Sequence, residues 1–253
     1  MTLHLSVSFI LAFMLALVRA SAWVAFCPPF SNSTIPSMAK IGIALGLAAE
    51  GATRLQHDVL PSTDAQVITQ LVIQVLVGVV LGFVVNLFVT AMTSAGSLID
   101  LFGGLNLPQA LDPLSQQQTP IVGQFYNLVV TALLFTTGAV LVIVDGFLRS
   151  FSAVGTSIPH ATMSTVAGVI SGDVTTFFAA AVEIAAPVIV VLFATQVLLA
   201  LLAKAAPQIN VFVFGFPLQI LVAIAGVGLA LAAMPGDVTS LVGRSMTQLF
   251  GGG

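Results

Sequence analysis

Charged side chains are scarce in this 253-residue chain. Six Lys or Arg and nine Asp or Glu make up only 6% of the residues, whereas 58% are hydrophobic. A water-soluble domain carries about 25% charged residues, so the chain has too little polar surface for a soluble globule. The net charge of −3 and the lack of a basic run do not indicate binding to nucleic acid. The composition therefore predicts a polytopic membrane protein.

The chain also lacks the residue sets that catalysis and metal binding require. Its single cysteine, Cys27, excludes an internal disulfide, and its three histidines lie far apart in the sequence. The G-x-S-x-G, Walker and dinucleotide glycine patterns are absent. We therefore expect no enzymatic activity, no catalytic residue, no metal site and no cofactor.

Three charged residues fall within or beside long apolar runs: Arg19, Glu183 and Lys204. Each would cost about 2.5–3.5 kcal/mol in lipid on insertion scales. An ion pathway would explain them, and so would contacts with neighbouring protein or with the membrane interface. We favour the second interpretation, because a coupled transporter usually carries several deep acids or bases and only Glu183 qualifies here.

Six apolar segments predict helices: residues 5–26, 38–49, 64–99, 121–144, 173–202 and 211–234. The first starts without Lys or Arg, so we expect it to remain as a helix and not to be cleaved as a signal peptide. As one helix, the uncharged run 65–99 would be about 52 Å long, against roughly 30 Å for a bilayer core. It must be strongly tilted, bent into a hairpin, or extended beyond the lipid into protein.

A polar island at residues 100–119 interrupts the apolar sequence. It contains two Gly, two Pro, two Asp, one Asn and four Gln. Gly103, Gly104 and Pro108 oppose a regular helix. Non-helical backbone at membrane depth needs water or protein to satisfy its amides. The island is therefore a loop at a membrane surface or a loop held inside a protein-lined cavity.

Two stretches resemble the FliR/SctT family of type III secretion export-gate proteins. The stronger, LAKAAPQINVFVFGFPL at residues 202–218, is similar to the family signature nRxaPQlNvFxxGfPl. The second follows the family order of glycines and acids from residue 78 to residue 113. The family often carries a Glu early in the third segment, where this chain has Gln70 or Gln74. The resemblance covers almost the entire chain.

This resemblance implies an all-α integral membrane protein with about six long helices and helical hairpins, packed into a hetero-oligomeric helical assembly. It implies a FliP-like part at residues 1–160, a FliQ-like hairpin at 161–234 and a short tail at 235–253. The implied partners are FliP-like and FliQ-like subunits, FlhB-like and FlhA-like components, membrane lipid, and exported unfolded proteins as transient substrates. The implied location is the bacterial inner membrane at the flagellar basal body.

The resemblance also assigns expected roles to residues. Signature residues expected to pack against other subunits are Pro207, Gln208, Asn210, Phe212, Gly215, Phe216 and Pro217. Glycines expected at helix contacts are Gly78, Gly82 and Gly96, consistent with the small-xxx-small spacing of the first two.

In the family, the loop between the third and fourth segments lies inside the closed channel as part of its plug. Residues 103–119 are therefore expected to help close the pore, because apolar constrictions gate by dewetting. The expected plug residues are Gly103, Gly104, Leu105, Leu107, Leu111, Asp112, Pro113 and Leu114. An injectisome gate subunit of the SctT type and a small secondary transporter remain the alternatives, and the Gly-Phe-Pro-Leu run at 215–218 favours the flagellar branch.

Overall fold

The computed structural model describes residues 7–32, 35–55, 63–105, 120–154, 162–208 and 210–250. Within these ranges the chain forms seven helices and no strand, which confirms the prediction of an all-α protein. The helices are α1 (Val7–Phe26), α2 (Ser37–Leu55), α3 (Asp64–Phe102), α4 (Ile121–Thr136), α5 (Ala139–Ala153), α6 (Thr162–Ala205) and α7 (Val211–Phe250).

Membrane-length apolar helices dominate the described residues. Four stretches are long and apolar enough to cross a bilayer: Ser8–Phe26, Asp64–Phe102, Val174–Ala205 and Val213–Val238. The bent pair α4–α5 makes a fifth if it is counted as one broken span. The chain is therefore a multi-pass membrane protein by the length and composition of its helices.

The third predicted segment is one continuous helix. Helix α3 has 39 residues, which corresponds to a length of about 58 Å. The hairpin alternative is therefore wrong, and a strong tilt or an extension beyond the lipid remains. The helix contains no proline, so no residue interrupts its backbone hydrogen bonding.

The fourth predicted segment is not one helix. The sequence predicts a helix over residues 121–144, but α4 ends at Thr136 and α5 begins at Ala139. Gly138 lies between them with φ of 74°, a left-handed conformation that a helix cannot continue through. Helices α6 and α7 instead extend beyond their predicted ends, and α7 runs through Pro217 and Pro235 into the predicted tail.

The chain divides into two compact units, each made of discontinuous stretches. The first unit comprises residues 1–87, 138–173 and 241–253, and the second comprises 88–137 and 174–240. In the first unit α1 packs against α2, and α2 packs against α5. Its interior contains a Trp23–Phe147 stack with ring centroids 4.5 Å apart, and Phe147 meets the edge of Phe151 at 5.2 Å.

The second unit has a separate hydrophobic core. It is formed by the C-terminal part of α3, by α4 and by the facing sides of α6 and α7. The buried residues of this cluster are Ala95, Ile99, Val122, Tyr126, Ala185, Val188, Leu192, Ala223, Val227 and Met234. This core lies directly beside the two positions where the chain leaves for the polar island and returns from it.

Candidate functional site

The polar island starts from a defined helix end. Gly104 adopts a φ of 69°, and its N–H donates to the Leu101 carbonyl at 3.4 Å, while the Leu105 N–H donates to the Asp100 carbonyl at 3.0 Å. These two bonds form a Schellman motif, in which a left-handed glycine ends the helix and satisfies its last carbonyls. Helix α3 therefore ends at Phe102, three residues later than the sequence predicts.

The polar island ends where α4 begins, and the N-terminal cap of α4 is supplied by a residue of α3. Pro120 is the N-cap residue of α4 and offers no side-chain hydrogen bond. The Val122 N–H donates to both carboxylate oxygens of Asp100, at 3.1 Å and 3.0 Å, and the Gly123 N–H donates to Oδ2 at 3.1 Å. These are the amides that an N-cap side chain normally binds. Asp100 is fully buried and performs that role from 22 residues away.

The two helix ends at this site touch through glycine. A Cβ placed on Gly96 would lie 2.8 Å from both the Gly123 Cα and the Val122 carbonyl oxygen. A Cβ on Gly123 would lie 2.7 Å from the Ser97 hydroxyl oxygen. Real Cβ atoms do not approach backbone atoms as closely as 2.8 Å, so Gly96 requires glycine for this contact, whereas the Ser97 hydroxyl that faces Gly123 belongs to a side chain that can rotate. Gly96 therefore lies at a close helix contact, between α3 and the first turn of α4.

Helices α6 and α7 complete the same site. The Gln196 side-chain amide on α6 donates to the Phe102 carbonyl at 2.8 Å, which satisfies one of the last carbonyls of α3. On α7, the Ala223 methyl lies 3.3 Å from where a Cβ of Gly103 would be. We call the set Asp100, Gly103, Leu105, Val122, Gly123 and Gln196 the loop base.

The structure describes only part of the expected plug. Gly103 is buried, and Gly104 and Leu105 are half-buried at the end of α3. Leu107, Leu111, Asp112, Pro113 and Leu114 lie outside the described residues. The role of the island as a plug therefore stays a prediction.

A second polar site lies in the first unit, around Arg19. This side chain is fully buried on α1. Its guanidinium donates to the Gln74 side-chain oxygen, to the Ser150 hydroxyl at 3.3 Å and to the Val154 carbonyl at 2.7 Å. The guanidinium carbon also lies 4.4 Å from the centroid of the Phe151 ring. The expectation that Arg19 contacts neighbouring protein is confirmed, and Gln74 is the glutamine that faces it.

Glycines bring α1 and α3 close together beside Arg19. A Cβ on Gly78 would collide with the Arg19 backbone carbonyl oxygen. A Cβ on Gly82 would lie 2.9 Å from the Phe26 Cβ and 3.0 Å from the Trp23 carbonyl oxygen. Both expected packing glycines therefore lie where the backbone of another helix leaves no room for a side chain.

Comparison with known proteins identifies the family. The family model described as "Bacterial export proteins, family 1" matches residues 10–245. The chain belongs to this family. It is similar to the flagellar biosynthetic protein FliR of Bacillus subtilis, with 29% identity over 213 residues, covering 83% of this chain and 82% of that relative. FliR of Pectobacterium carotovorum is 28% identical over 256 residues, covering 96% and 95%. The surface presentation of antigens protein SpaR of Shigella sonnei is 28% identical over 131 residues, covering 52% and 50%.

The signature block of this export protein lies at the turn between α6 and α7. Pro207, Gln208 and Asn210 are exposed, and the Asn210 carbonyl accepts the Val213 N–H at 3.0 Å at the start of α7. On α7, Gly215 is buried, Phe216 is half-buried and Pro217 is exposed, whereas the Phe212 side chain is not among those described. Packing of this block against other subunits stays a prediction.

Several other charged residues among the described ones are exposed or half-buried. Glu183 and Lys204 are exposed, and Arg54 and Arg149 pair with Glu50 and Asp145 one helical turn away, at 3.3 Å and 2.7 Å. Such exposed pairs contribute little to stability. No group of three or more His, Cys, Asp or Glu that could hold a metal occurs among the described residues.

Sequence reasoning missed the roles of Asp100, Gln196 and Ser150. It placed Asp100 in the loop because the apolar run ends at Ile99. One local signal was available: Pro120 opens an apolar helix without a capping side chain, so an acceptor must come from elsewhere. Nothing in the sequence identifies which residue supplies it.

Proposed function

We propose that this chain is a non-enzymatic subunit of the flagellar type III protein export gate. It helps to form and to close the pore through which unfolded flagellar proteins are exported. The family match over residues 10–245 carries this proposal. The flagellar relatives match 83% and 96% of the chain and SpaR matches 52%, which favours a flagellar subunit over an injectisome one.

The same proposal assigns a place and partners to the chain. It resides in the bacterial inner membrane at the flagellar basal body and assembles with FliP-like and FliQ-like subunits, and with FlhB-like and FlhA-like components. Residues 1–160 act as the FliP-like part and residues 161–234 as the FliQ-like hairpin, with the tail from 235. The 39-residue length of α3 supports an assembly, since a helix of about 58 Å exceeds a bilayer core of roughly 30 Å and gains from protein neighbours.

Closure of the pore is assigned to the polar island. Its two ends join the loop base, where the N–H groups of Leu105 and Val122 both donate to the buried Asp100. A loop on such a base can lie in a wet lumen without unsatisfied amides at its ends. Its leucines then form the apolar constriction that excludes water when the gate is closed.

The test is an ion-leak measurement on the assembled gate. Residues 106–119 are replaced by a Gly-Ser linker of equal length, which keeps the Schellman motif at Gly103–Leu105 intact. The full chain is produced with its partner subunits, and decay of an imposed K⁺ gradient is followed in membrane vesicles. The matched control replaces residues 56–62, the connection between α2 and α3, in the same way.

We expect the 106–119 replacement to assemble normally and to leak, and the 56–62 replacement to assemble and stay tight. A tight membrane with an assembled 106–119 variant would overturn the assignment of the island as the plug. Equal leak from both variants would also overturn it, since closure would then not depend on the island in particular.

A further inference from the structure

We propose that the exposed face of α6 that carries Glu183 is a docking surface for a transmembrane helix of a different subunit of the gate. That helix places a lysine or arginine side chain against Glu183. The docking surface rests on the proposed function, because only a subunit of an assembly needs one. It adds which face of the chain is covered and which charge the partner supplies.

Helix α6 has two opposite faces. One face packs inside the second unit, and its buried residues are spaced four, three and four residues apart: Ala181, Ala185, Val188 and Leu192. The opposite face starts at Glu183 and continues at alternate spacings of four and three through five further exposed residues: Pro187, Val190, Ala194, Val197 and Leu201. We call these six residues the outer face. A row with this spacing meets a second helix along its whole length, as in a coiled coil.

Lipid alone does not cover the outer face. The apolar span Val174–Ala205 in α6 has 32 residues, a length of about 48 Å, against roughly 30 Å for a bilayer core. A tilt of about 50° would be needed to fit this span inside the core, and transmembrane helices tilt by about 0–40°. Only 17% of an 18-residue window in the span is buried, against 39% in the spans of α1 and α3. Other protein therefore covers part of the exposed surface of α6.

The packing of α6 on α7 brings a second carboxylate near Glu183. A Cβ on Gly226 would lie 2.8 Å from the Val188 side chain, so the two helices run antiparallel from their short turn, and Glu183 lies near the level of Leu231. Asp237, six residues further along α7, is half-buried and lies within electrostatic range of Glu183. Two negative charges on neighbouring helices repel each other, and a cation against Glu183 is attracted by both.

The chain does not supply that cation itself. Lys204 is the only basic residue of α6 and lies 21 residues beyond Glu183, about 31 Å along the helix. Arg244 is the only basic residue of α7 and lies 13 residues beyond Leu231, about 20 Å further along. The other four basic residues are held by contacts within the first unit: Arg19, Lys40, Arg54 and Arg149.

Charge complementarity therefore specifies the partner. A carboxylate that faces lipid is costly, and such groups in membrane spans pair with an opposite charge. A second copy of the outer face would bring another carboxylate to Glu183 and not a cation. The helix that covers this face consequently belongs to a different chain and carries a lysine or arginine.

The first test identifies what lies on the outer face. A photoreactive benzophenone amino acid replaces Val190 or Val197 in the full chain, which is co-produced with its partner subunits. The assembled complex is purified and irradiated, and the cross-linked peptides are identified by mass. We expect both positions to cross-link to one helix of one partner subunit, and that helix to carry a lysine or arginine at the level of Glu183.

The second test asks whether the charge matters. Glu183→Lys should lower recovery of the cross-linked partner by roughly tenfold or more, because like charges across an interface repel, and Glu183→Gln should lower it less. Replacing the identified basic residue of the partner by glutamate should restore recovery with Glu183→Lys, which a general loss of folding would not allow. Glu50→Lys and Glu50→Gln are the matched controls and should recover the partner as the parent does, because Glu50 has its cation, Arg54, on its own helix.

Several results would overturn the docking surface. Cross-links from Val190 and Val197 to lipid alone, or to a second copy of this chain, contradict it. So does a partner helix without a basic residue near Glu183, or full recovery with Glu183→Lys. If Glu183→Lys is not produced, glutamate at the partner's basic residue should lower recovery of the parent chain, and unchanged recovery contradicts the pairing.

The docking surface and the proposed function fail in different ways. A parent chain that recovers no gate subunit refutes the proposed function and the docking surface together. An assembled parent complex without a protein cross-link at the outer face refutes only the docking surface.

Discussion

The close contact between α1 and α3 at Gly78 makes a quantitative prediction. Gly78→Ala adds one methyl group at a point where it would collide with the Arg19 carbonyl oxygen. The same methyl group would lie 2.9 Å from the Ala22 Cβ and 3.2 Å from the Trp23 amide nitrogen. Two of these three atoms belong to the backbone of α1, so the clash is relieved only if one helix moves. Gly42→Ala on α2 is the matched control, because its Cβ would have nothing within 4 Å.

The expected magnitudes follow from two opposing effects. An extra methyl in a packed interior costs about 1–3 kcal/mol, and rigid backbone neighbours place Gly78 at the upper end. Alanine is preferred to glycine inside a helix by about 1 kcal/mol, which offsets part of that cost. Gly78→Ala should therefore lower the free energy of unfolding by about 2 kcal/mol, whereas Gly42→Ala should leave it unchanged or raise it by up to about 1 kcal/mol.

The assay heats the purified full chain in mild detergent to a series of temperatures. Size-exclusion chromatography then measures the fraction of protein that stays folded at each temperature. For a chain of this size, a loss of 2 kcal/mol corresponds to a fall in Tm of roughly 4–8 °C. An unchanged or raised Tm for Gly78→Ala, with Gly42→Ala behaving in the same way, would refute the backbone contact between α1 and α3.

Three further predictions concern other parts of the chain. Gln74→Glu should raise Tm, because a carboxylate in hydrogen-bond contact with the buried Arg19 guanidinium would neutralise its charge, which the Gln74 amide does not. A lower Tm would contradict the Arg19–Gln74 contact. Burial raises the pKa of the Cys27 thiol well above its ordinary value, so the native chain should hold little thiolate at pH 8. Cys27 should therefore react with a maleimide far more slowly than the exposed cysteine of a Ser37→Cys variant. Equal rates at the two sites would refute the burial of Cys27. Asn210→Leu should reduce recovery of FliP-like and FliQ-like subunits in a pull-down, and full recovery would show that the signature turn serves another purpose.

Much of the fold follows from the composition and from the length of the apolar runs. The scarcity of charge predicts a membrane protein, and the run 65–99 predicts α3 with its start at Asp64. The break at Gly138 escaped prediction, because an isolated glycine is tolerated inside many helices and only its conformation here, with φ of 74°, ends α4. Local sequence does not determine whether Gly138 adopts this left-handed conformation.

Less of the candidate site could be predicted from the sequence. The island was predicted as a loop because glycine and proline oppose a helix locally. The bonds that Asp100 accepts from α4 join residues 22 and 23 apart in sequence, and the bond from Gln196 to Phe102 joins residues 94 apart. Such pairings depend on how helices pack, and neither periodicity nor spacing encodes them. Arg19 illustrates the same limit, since contact with protein was one of two outcomes expected for it, and neither identified Ser150 as its partner.

The most direct test of the central claim is the identity of the proteins that accompany this chain. Tagged full-length protein is extracted from gently solubilised membranes of cells that express the whole export apparatus, and co-purifying proteins are identified by mass. The export-gate account predicts recovery of FliP-like and FliQ-like subunits in a stable complex. Recovery of the chain alone, stable and monodisperse, would contradict that account and favour a small transporter that works without partners.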